Sequence, residues 1–359
     1  MSSNGADFRN AWSSDRRVEF AATLRRTDAG PGPYTLLIIR TEPKLMEVRQ
    51  PPSFTFVLNK QSGPYDGNEI QALIEQTIPT GRLEALMVLG EEEELCDLVR
   101  IALQKAREAG GCLVLAGGDG TINAALPILL EENDVPFSVL PLGTFNFFAR
   151  SQGIDLDPES ALEALLSATP IDVPVATLNG HPFVINISIG VFPRIIDARE
   201  RHQARFGRNR YVALMSGFYT ALNSRQDHRL TLIVDGQVHR VRSPMVSAVF
   251  NRYQVEALNL DSSCIDQQKM TVLVTRPVSR WGMFGLLLRG ATGHLDQAEN
   301  LETLCASELT IDTRRRSVRV AIDGETQRFA TPLKLRVHPQ GLHLLAPDRS
   351  RSEPVNGAG

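Results

Sequence analysis

Long apolar runs are missing from this chain. No stretch of its 359 residues approaches the roughly 20 consecutive apolar residues of a membrane-spanning helix. The opening "MSSNGADFRNAWSSDRR" has no apolar core of the kind a secretory signal carries. Charge excess is also missing. The net charge is -3, with 38 Lys and Arg against 41 Asp and Glu. That balance gives no global pull toward nucleic acid. Cysteine is scarce: Cys96, Cys112, Cys264 and Cys305 are widely spaced and form no metal-ligand pattern. They read as unpaired thiols of a reduced, cytoplasmic chain. The seven histidines are scattered and suggest no triad or metal centre. No internal repeat of useful length occurs. What remains is an ordinary globular composition, 42% hydrophobic and 22% charged, on a chain long enough for two domains.

Residues 1–50 are polar and Arg-rich and read as a poorly ordered extension, although "YTLLIIR" inside them has strand character. From Phe54 the pattern is regular. "FTFVL" (54–58), "LEALMVL" (83–89), "CLVLA" (112–116) and "FSVL" (137–140) suit strands buried on both faces. Helical periods lie between them. Ile70, Leu73 and Ile74 share one face, and Leu95, Leu98, Val99, Ala102, Leu103 and Ala106 form a longer stripe. Ile122, Leu126, Leu129 and Leu130 continue the scheme, with Pro127 expected to end or bend that helix. Strand, helix, strand at this rhythm predicts a doubly wound parallel α/β sheet over residues 51–170. After Ile171 the texture changes to alternating runs such as "LTLIVDGQVHRV", "KMTVLV" and "VRVAIDGETQRF". These predict a mainly antiparallel β-sandwich over 171–347, with helices near 208–223 and 279–290 and a tail at 348–359.

Two glycine loops stand at predicted strand ends. "LVLAGGDGTIN" places Gly117, Gly118, Asp119, Gly120 and Thr121 beyond one strand, and "LPLGTFNFFAR" places Gly143, Thr144 and Asn146 beyond the next. Ligands of open parallel sheets bind at these ends. Glycine lets backbone N–H groups approach phosphate, and a helix N-terminus adds positive charge. Asp119 would repel phosphate, so its chemistry is to hold Mg²⁺ or its waters, or to orient a nucleotide hydroxyl. A tight strand-to-helix turn with an Asp cap explains one such loop alone. Two loops on adjacent strands favour a nucleotide cleft.

GGDGT followed some twenty residues later by P-x-G-T-x-N-x-x-A-R resembles the diacylglycerol kinase catalytic family, which includes bacterial lipid kinases and sphingosine kinases. The resemblance extends from about Phe54 to Pro347. "NKQSG" (59–63) is similar to the family's N-P-x-S-G, and "NGHPFVINISIGVFPRI" to the opening of its second domain. "DGE" (323–325) stands where the family has its catalytic signature. The resemblance implies an ATP-dependent lipid kinase using Mg²⁺. ATP would be bound by Asn59, Gly117, Gly118, Asp119, Gly120, Thr121, Ile122, Asn123, Gly143, Thr144 and Asn146, with Gly90 at the border. Glu325 would accept the proton, and Asp119 would assist it and carry the metal. Three departures stand out: Ala124 and Phe147 replace acidic residues common in the family, and "CIDQQKM" replaces an Asp-rich metal loop.

Asp-Gly between alternating strands is also a plain two-residue hairpin signal, and Asp235-Gly236-Gln237 is a second case with no carboxylate after it. The basic run 194–211 reads either as a solvated face or as a patch for anionic membrane. "RWGMFGLLLRG" (280–290) reads either as core helix or as a bilayer-interface helix. The expected partners are a lipid substrate and a membrane surface touched peripherally, with a second copy of the chain also a candidate and nucleic acid not expected. An NAD-kinase-like enzyme sharing the GGDGT loop, and a catalytically silent lipid- or nucleotide-binding protein, remain open rivals at this point.

Overall fold

A computed structural model describes residues 52–90, 94–194, 196 and 227–347. The extension 1–50, the tail 348–359, the helix expected near 208–223 and nearly all of the basic run 194–211 lie outside the described residues.

The first four strands are β1 (Phe54–Leu58), β2 (Leu83–Val88), β3 (Cys112–Gly117) and β4 (Phe137–Pro141). They pair in parallel in the order β2-β1-β3-β4. β1, β3 and β4 are buried along their whole length, as continuous apolar runs require. Helices α1 (Gly67–Thr77), α2 (Leu95–Glu108) and α3 (Asp119–Glu131) follow the first three strands. Leu98, Val99, Ala102, Leu103 and Ala106 of α2 are all buried, so the predicted stripe faces the core. Pro127 does not end α3, which runs four residues further. The lost N–H bond is offset by burial of Ile122, Ala125, Leu126, Ile128 and Leu129 around it. Two shorter helices come next, α4 (Phe147–Gln152) and α5 (Pro158–Leu165).

The boundary expected at residue 170 falls inside β5 (Thr169–Leu178). β6 (His181–Phe183) and β7 (Asn186–Gly190) follow, then β8 (His228–Val234), β9 (Gln237–Ser243) and β10 (Met245–Val249). Helices α6 (Arg252–Ala257) and α7 (Ser263–Asp266) precede β11 (Met270–Thr275). After α8 (Arg280–Ala291) come β12 (Leu301–Ala306), β13 (Glu308–Thr313), β14 (Ser317–Ile322), β15 (Glu325–Ala330) and β16 (Leu333–Ala346). One sheet, β12-β11-β10-β7-β14-β15, is antiparallel throughout. The other continues the parallel sheet: β16 joins β4 in parallel and then pairs antiparallel with β13 and β5. A single 14-residue strand therefore belongs to both halves. Leu230, Leu232, Leu309, Ile311 and Leu335 from this sheet meet Ile187, Ile189, Val246, Val272 and Val320 from the other in one apolar core.

One expectation is corrected. Cys264 and Cys305 are not free thiols but a disulfide, with Cα atoms 5.3 Å apart. The pairing of Met270 with Ala306 brings the α7 turn alongside β12, a proximity that 41 residues of separation conceal. Cys96 and Cys112 stay free. Helix α8 is neither wholly core nor wholly surface: Met283 and Leu286 are buried, whereas Trp281 and Leu288 are exposed.

Ser138 shows what joins the halves. Leu345 of β16 lies opposite Pro170, which has no N–H to donate, and the buried Ser138 hydroxyl donates to the Leu345 carbonyl at 2.8 Å. Ser138→Ala is expected to lower stability by about 1–2 kcal/mol, because the buried acceptor loses its donor. Urea unfolding of the two proteins checks this, and an unchanged midpoint would contradict it.

Candidate active site

The site forms where β1, β3 and β4 end. Asn59, just past β1, donates its backbone N–H to the Ala116 carbonyl at 3.0 Å and its side-chain amide to Thr121 Oγ1 at 3.1 Å. Ser62 Oγ lies 3.3 Å from the same hydroxyl. Thr121 is thus buried and held from two sides. A Cβ on Gly117 would overlap the Thr121 side chain, and a Cβ on Gly143 would press on the Gly118 Cα at 2.6 Å. These glycines are needed for the two loops to touch. Gly120 differs: it is exposed, and a Cβ there would meet nothing within 4 Å. Packing leaves open space above that residue, at the start of α3, where backbone N–H groups lack intrahelical partners.

Asn146 has φ 52, and its side chain folds back to accept from the Gly143 N–H at 2.9 Å and donate to the Gly143 carbonyl at 2.8 Å. It shapes the second loop and is buried. Thr144, by contrast, is exposed. Asp119 caps α4 from outside: its two carboxylate oxygens accept from the Phe147 and Phe148 N–H groups, each at 3.1 Å. The loop carboxylate is therefore an Asp cap, but of the neighbouring loop's helix. Burial pushes the Asp119 carboxyl above its ordinary range, against the Phe148, Phe147 and Asn146 N–H groups and the nearby Arg150 charge. Ile122 points into the core. Gly90 stands exposed beyond β2.

The turn at Asp323 meets these loops from the second half. Asn123 of α3 donates to the Asp323 carbonyl at 3.4 Å, and α3 packs against β6. The Asn123 Oδ1 is buried without a partner among the described residues. Asp323 and Gly324 both have positive φ, the geometry of a two-residue hairpin turn, so the hairpin reading is correct as local structure. The Asp323 carboxylate turns inward. Oδ2 accepts from the Val184 N–H at 2.9 Å, and Oδ1 accepts from Ile185 and Asn186 at 2.9 and 2.8 Å. Loss of solvent pushes this carboxyl up to about 7 against those three N–H bonds, and the Asp119 charge adds to the rise. Asp235 has the same φ of 46 in the other Asp-Gly turn, but it behaves differently. Burial there is outweighed by the Glu308 and Ser307 N–H groups and by Lys269, which hold the Asp235 carboxyl low. Glu325 opens β15 and is exposed.

Several contributors carry no short-range sequence signal. Asn251, before α6, donates to the Phe147 carbonyl at 3.0 Å and caps its own helix through Gln254. Asn186 donates to Gln254 at 2.8 Å. Phe147 stacks on Phe145 at 5.6 Å and tilts against Tyr253 at 6.0 Å, while Arg150 lies over the Tyr253 ring. An aromatic ledge thus borders the second loop. A divalent cation fits here only beside a phosphate-bearing ligand. Among the described residues no cluster of three or more His, Cys, Asp or Glu side chains could hold it alone. The Asp119 oxygens keep lone pairs beyond those used by the backbone, and a cation would relieve the repulsion between Asp119 and Asp323.

Residues 53–178 match the family described as diacylglycerol kinase catalytic domain. Residues 186–346 match the family described as YegS C-terminal NAD kinase beta sandwich-like domain. The chain is 35% identical over 144 residues to the protein named "Probable lipid kinase YegS" of Escherichia coli O127:H6, covering 36% of this chain and 48% of the relative. It is 35% identical over 135 residues to "Probable lipid kinase YegS-like" of Pseudomonas aeruginosa strain UCBPP-PA14, covering 37% and 42%. The matched stretch spans under half the length of these relatives. A diacylglycerol kinase crystal structure from Bacillus anthracis str. Sterne superposes with a TM-score of 0.63 at 18% identity, covering 85% of this chain and all of that one. At that identity the likeness shows the fold.

The raised Asp323 carboxyl has a pH signature. A carboxyl near 7 in the folded chain but near 3.9 when unfolded binds its proton more tightly in the native state. Its burial therefore destabilises above pH 7, and stability is regained as pH falls toward 4. Relative to Asp323→Asn, the wild type is expected to gain about 2 kcal/mol between pH 8 and pH 5. Unfolding both proteins across that range tests this, and a flat difference would refute it.

Proposed function

We propose that this chain, whose residues 53–178 match the diacylglycerol kinase catalytic domain and 186–346 the YegS C-terminal domain, is an ATP-dependent lipid kinase acting on diacylglycerol or a related lipid alcohol. The observation that carries this reading is the contact between Asn123 and Asp323, which sets the turn bearing Glu325 against the helix of the glycine loop. Phosphate binding and proton acceptance thus come from opposite halves of one chain. The triphosphate would lie over Gly118–Gly120 and the Gly143–Thr144 loop, where backbone N–H groups and open space coincide.

In the transfer, Glu325 accepts the proton of the lipid hydroxyl as that oxygen bonds to the γ-phosphorus. The bond from phosphorus to the β–γ bridging oxygen breaks, and ADP leaves with that oxygen. Mg²⁺ bound with ATP would neutralise charge on the phosphates, and Asp119 is the loop carboxylate able to approach it. Asp119 has a second task, holding the α4 end of the second loop in register. The chain's contribution is positioning and electrostatics. A silent binding protein is the second reading, favoured by Phe147 standing where the family commonly has a carboxylate.

Incubation with γ-labelled ATP, Mg²⁺ and mixed micelles of several lipid alcohols decides between them. Label is expected in one lipid. Glu325→Gln should lower kcat by about 100-fold or more with the ATP KM little changed. ATP binding without transfer to any lipid would favour the silent protein.

We further propose that α8 touches the bilayer interface. Trp281 and Leu288 are 71% and 52% exposed, and seven residues put them on one face of the helix. Trp281→Ala with Leu288→Ala is expected to reduce co-sedimentation with lipid vesicles by about tenfold while leaving ATP binding intact. Unchanged sedimentation would remove the helix from that role.

A further inference from the structure

Residues 251–269, with α6 and α7, form a strap over one face of the antiparallel sheet. Val246, Ala248, Val272 and Val274 face the core between the sheets, so the alternating Val249, Thr271 and Leu273 face the strap. The apolar contact there is small. Val249, Val255 and Leu273 are its buried residues, with Leu260 and Ile265 packed against them.

The strap is held at each end by something other than that contact. At the α7 end, the buried Cys264 is bonded to Cys305 of β12. At the α6 end, Asn251 donates to the Phe147 carbonyl at 3.0 Å, and Tyr253 tilts against the Phe147 ring. Arg252 ties the two ends together, pairing with Glu256 on α6 and with Asp266 on α7. A short path therefore runs from the disulfide through Asp266, Arg252 and Asn251 to Phe147. The Phe147 N–H is one of the two that Asp119 accepts, so the path ends where the glycine loops meet.

The disulfide is placed for exchange. Cys305 is half-buried whereas Cys264 is buried, so an incoming thiolate reaches the Cys305 sulfur first. Thr271 stands directly opposite Cys305, and its buried hydroxyl has no partner among the described residues. A freed thiol on that face is a donor for it, which the disulfide is not.

We propose that Cys264–Cys305 is a thiol–disulfide exchange site whose state sets how firmly the second glycine loop is held. The reductant is a dithiol. Its thiolate attacks the Cys305 sulfur, the S–S bond breaks, and Cys264 leaves as a thiolate and takes up a proton. The second reductant thiolate then displaces Cys305, which is protonated in turn. The reductant ends as a disulfide, and its two protons and two electrons end on the cysteines. With the bond open, the strap keeps a small apolar contact and an exposed ion pair, and such pairs hold little. Its α6 end then loosens, and with it the hold on Phe147. The effect on the loop is independent of the kinase reading, and the effect on ATP rests on it.

Peptide-level hydrogen exchange of the full chain, before and after dithiothreitol, tests the proposal. Reduction is expected to speed exchange at least about tenfold in residues 143–152 and 251–269, while β1 and β3 exchange as before. Cys264→Ser with Cys305→Ser should exchange fast without reductant and ignore it, and Cys96→Ser should respond as the wild type does. Re-oxidation should restore slow exchange. ATP titrated calorimetrically should bind at least about fivefold more weakly to the reduced chain. ATP binding to neither form would remove the nucleotide reading, and the exchange result would still decide the proposal. It is overturned if dithiothreitol leaves the bond intact in the folded chain, or if faster exchange is confined to 258–269. It is overturned equally if β1 and β3 loosen together with the strap, because the bond is then a staple of the whole fold.

Discussion

The seam between the two halves depends on a carboxylate to which, among the described residues, no cationic side chain is bonded. Asp323 is satisfied by three consecutive backbone N–H groups at Val184, Ile185 and Asn186. Those groups belong to the segment leading from β6 into β7, and the same residue's carbonyl receives Asn123 from α3. One residue therefore fixes the sandwich sheet, the crossing segment and the loop helix relative to each other. A salt bridge could join two elements, but it would tolerate sliding. Three N–H groups converging on one carboxylate define position closely, and they favour its ionised form, while the burial around it makes the carboxyl resist ionisation.

Asp119 repeats this logic within the parallel half. It too accepts from backbone N–H groups of a neighbouring element, and it too is pushed upward by burial. The Asp119 charge then adds to the cost of charging Asp323. Phe147 fits the same picture. Its N–H serves Asp119 while its ring joins the ledge with Phe145 and Tyr253, so the position works through its backbone as well as its side chain.

Much of this fold was legible in the sequence. Continuous apolar runs named the buried parallel strands to within a residue or two, and the stripe from Leu95 to Ala106 named the buried face of α2. Gly117 and Gly143 announced the loops, and a Cβ at either would overlap its neighbour. The hidden parts share one property, long separation along the chain. Asn251 reaching Phe147, Cys264 reaching Cys305, and β16 pairing with β4 are tertiary facts with no local period. Asp323 and Asp235 make the point most sharply. The local signal is the same Asp-Gly turn, and only the surroundings separate a carboxyl raised to about 7 from one held low.

The shared strand β16 also bears on how the chain is made. The edge of β4 is closed by a partner some 200 residues later, as the 207-residue span between Ser138 and Leu345 records. During synthesis at about 5–20 residues per second, the parallel half must wait on the order of ten seconds or more with that edge uncovered. Its β4 edge is apolar and unpaired over that interval, which is the condition under which nascent strands recruit wrong neighbours. The glycine loops that end β3 and β4 sit on this same unfinished margin, so a nascent chain released early would present its phosphate-binding elements on a sheet that is not yet closed.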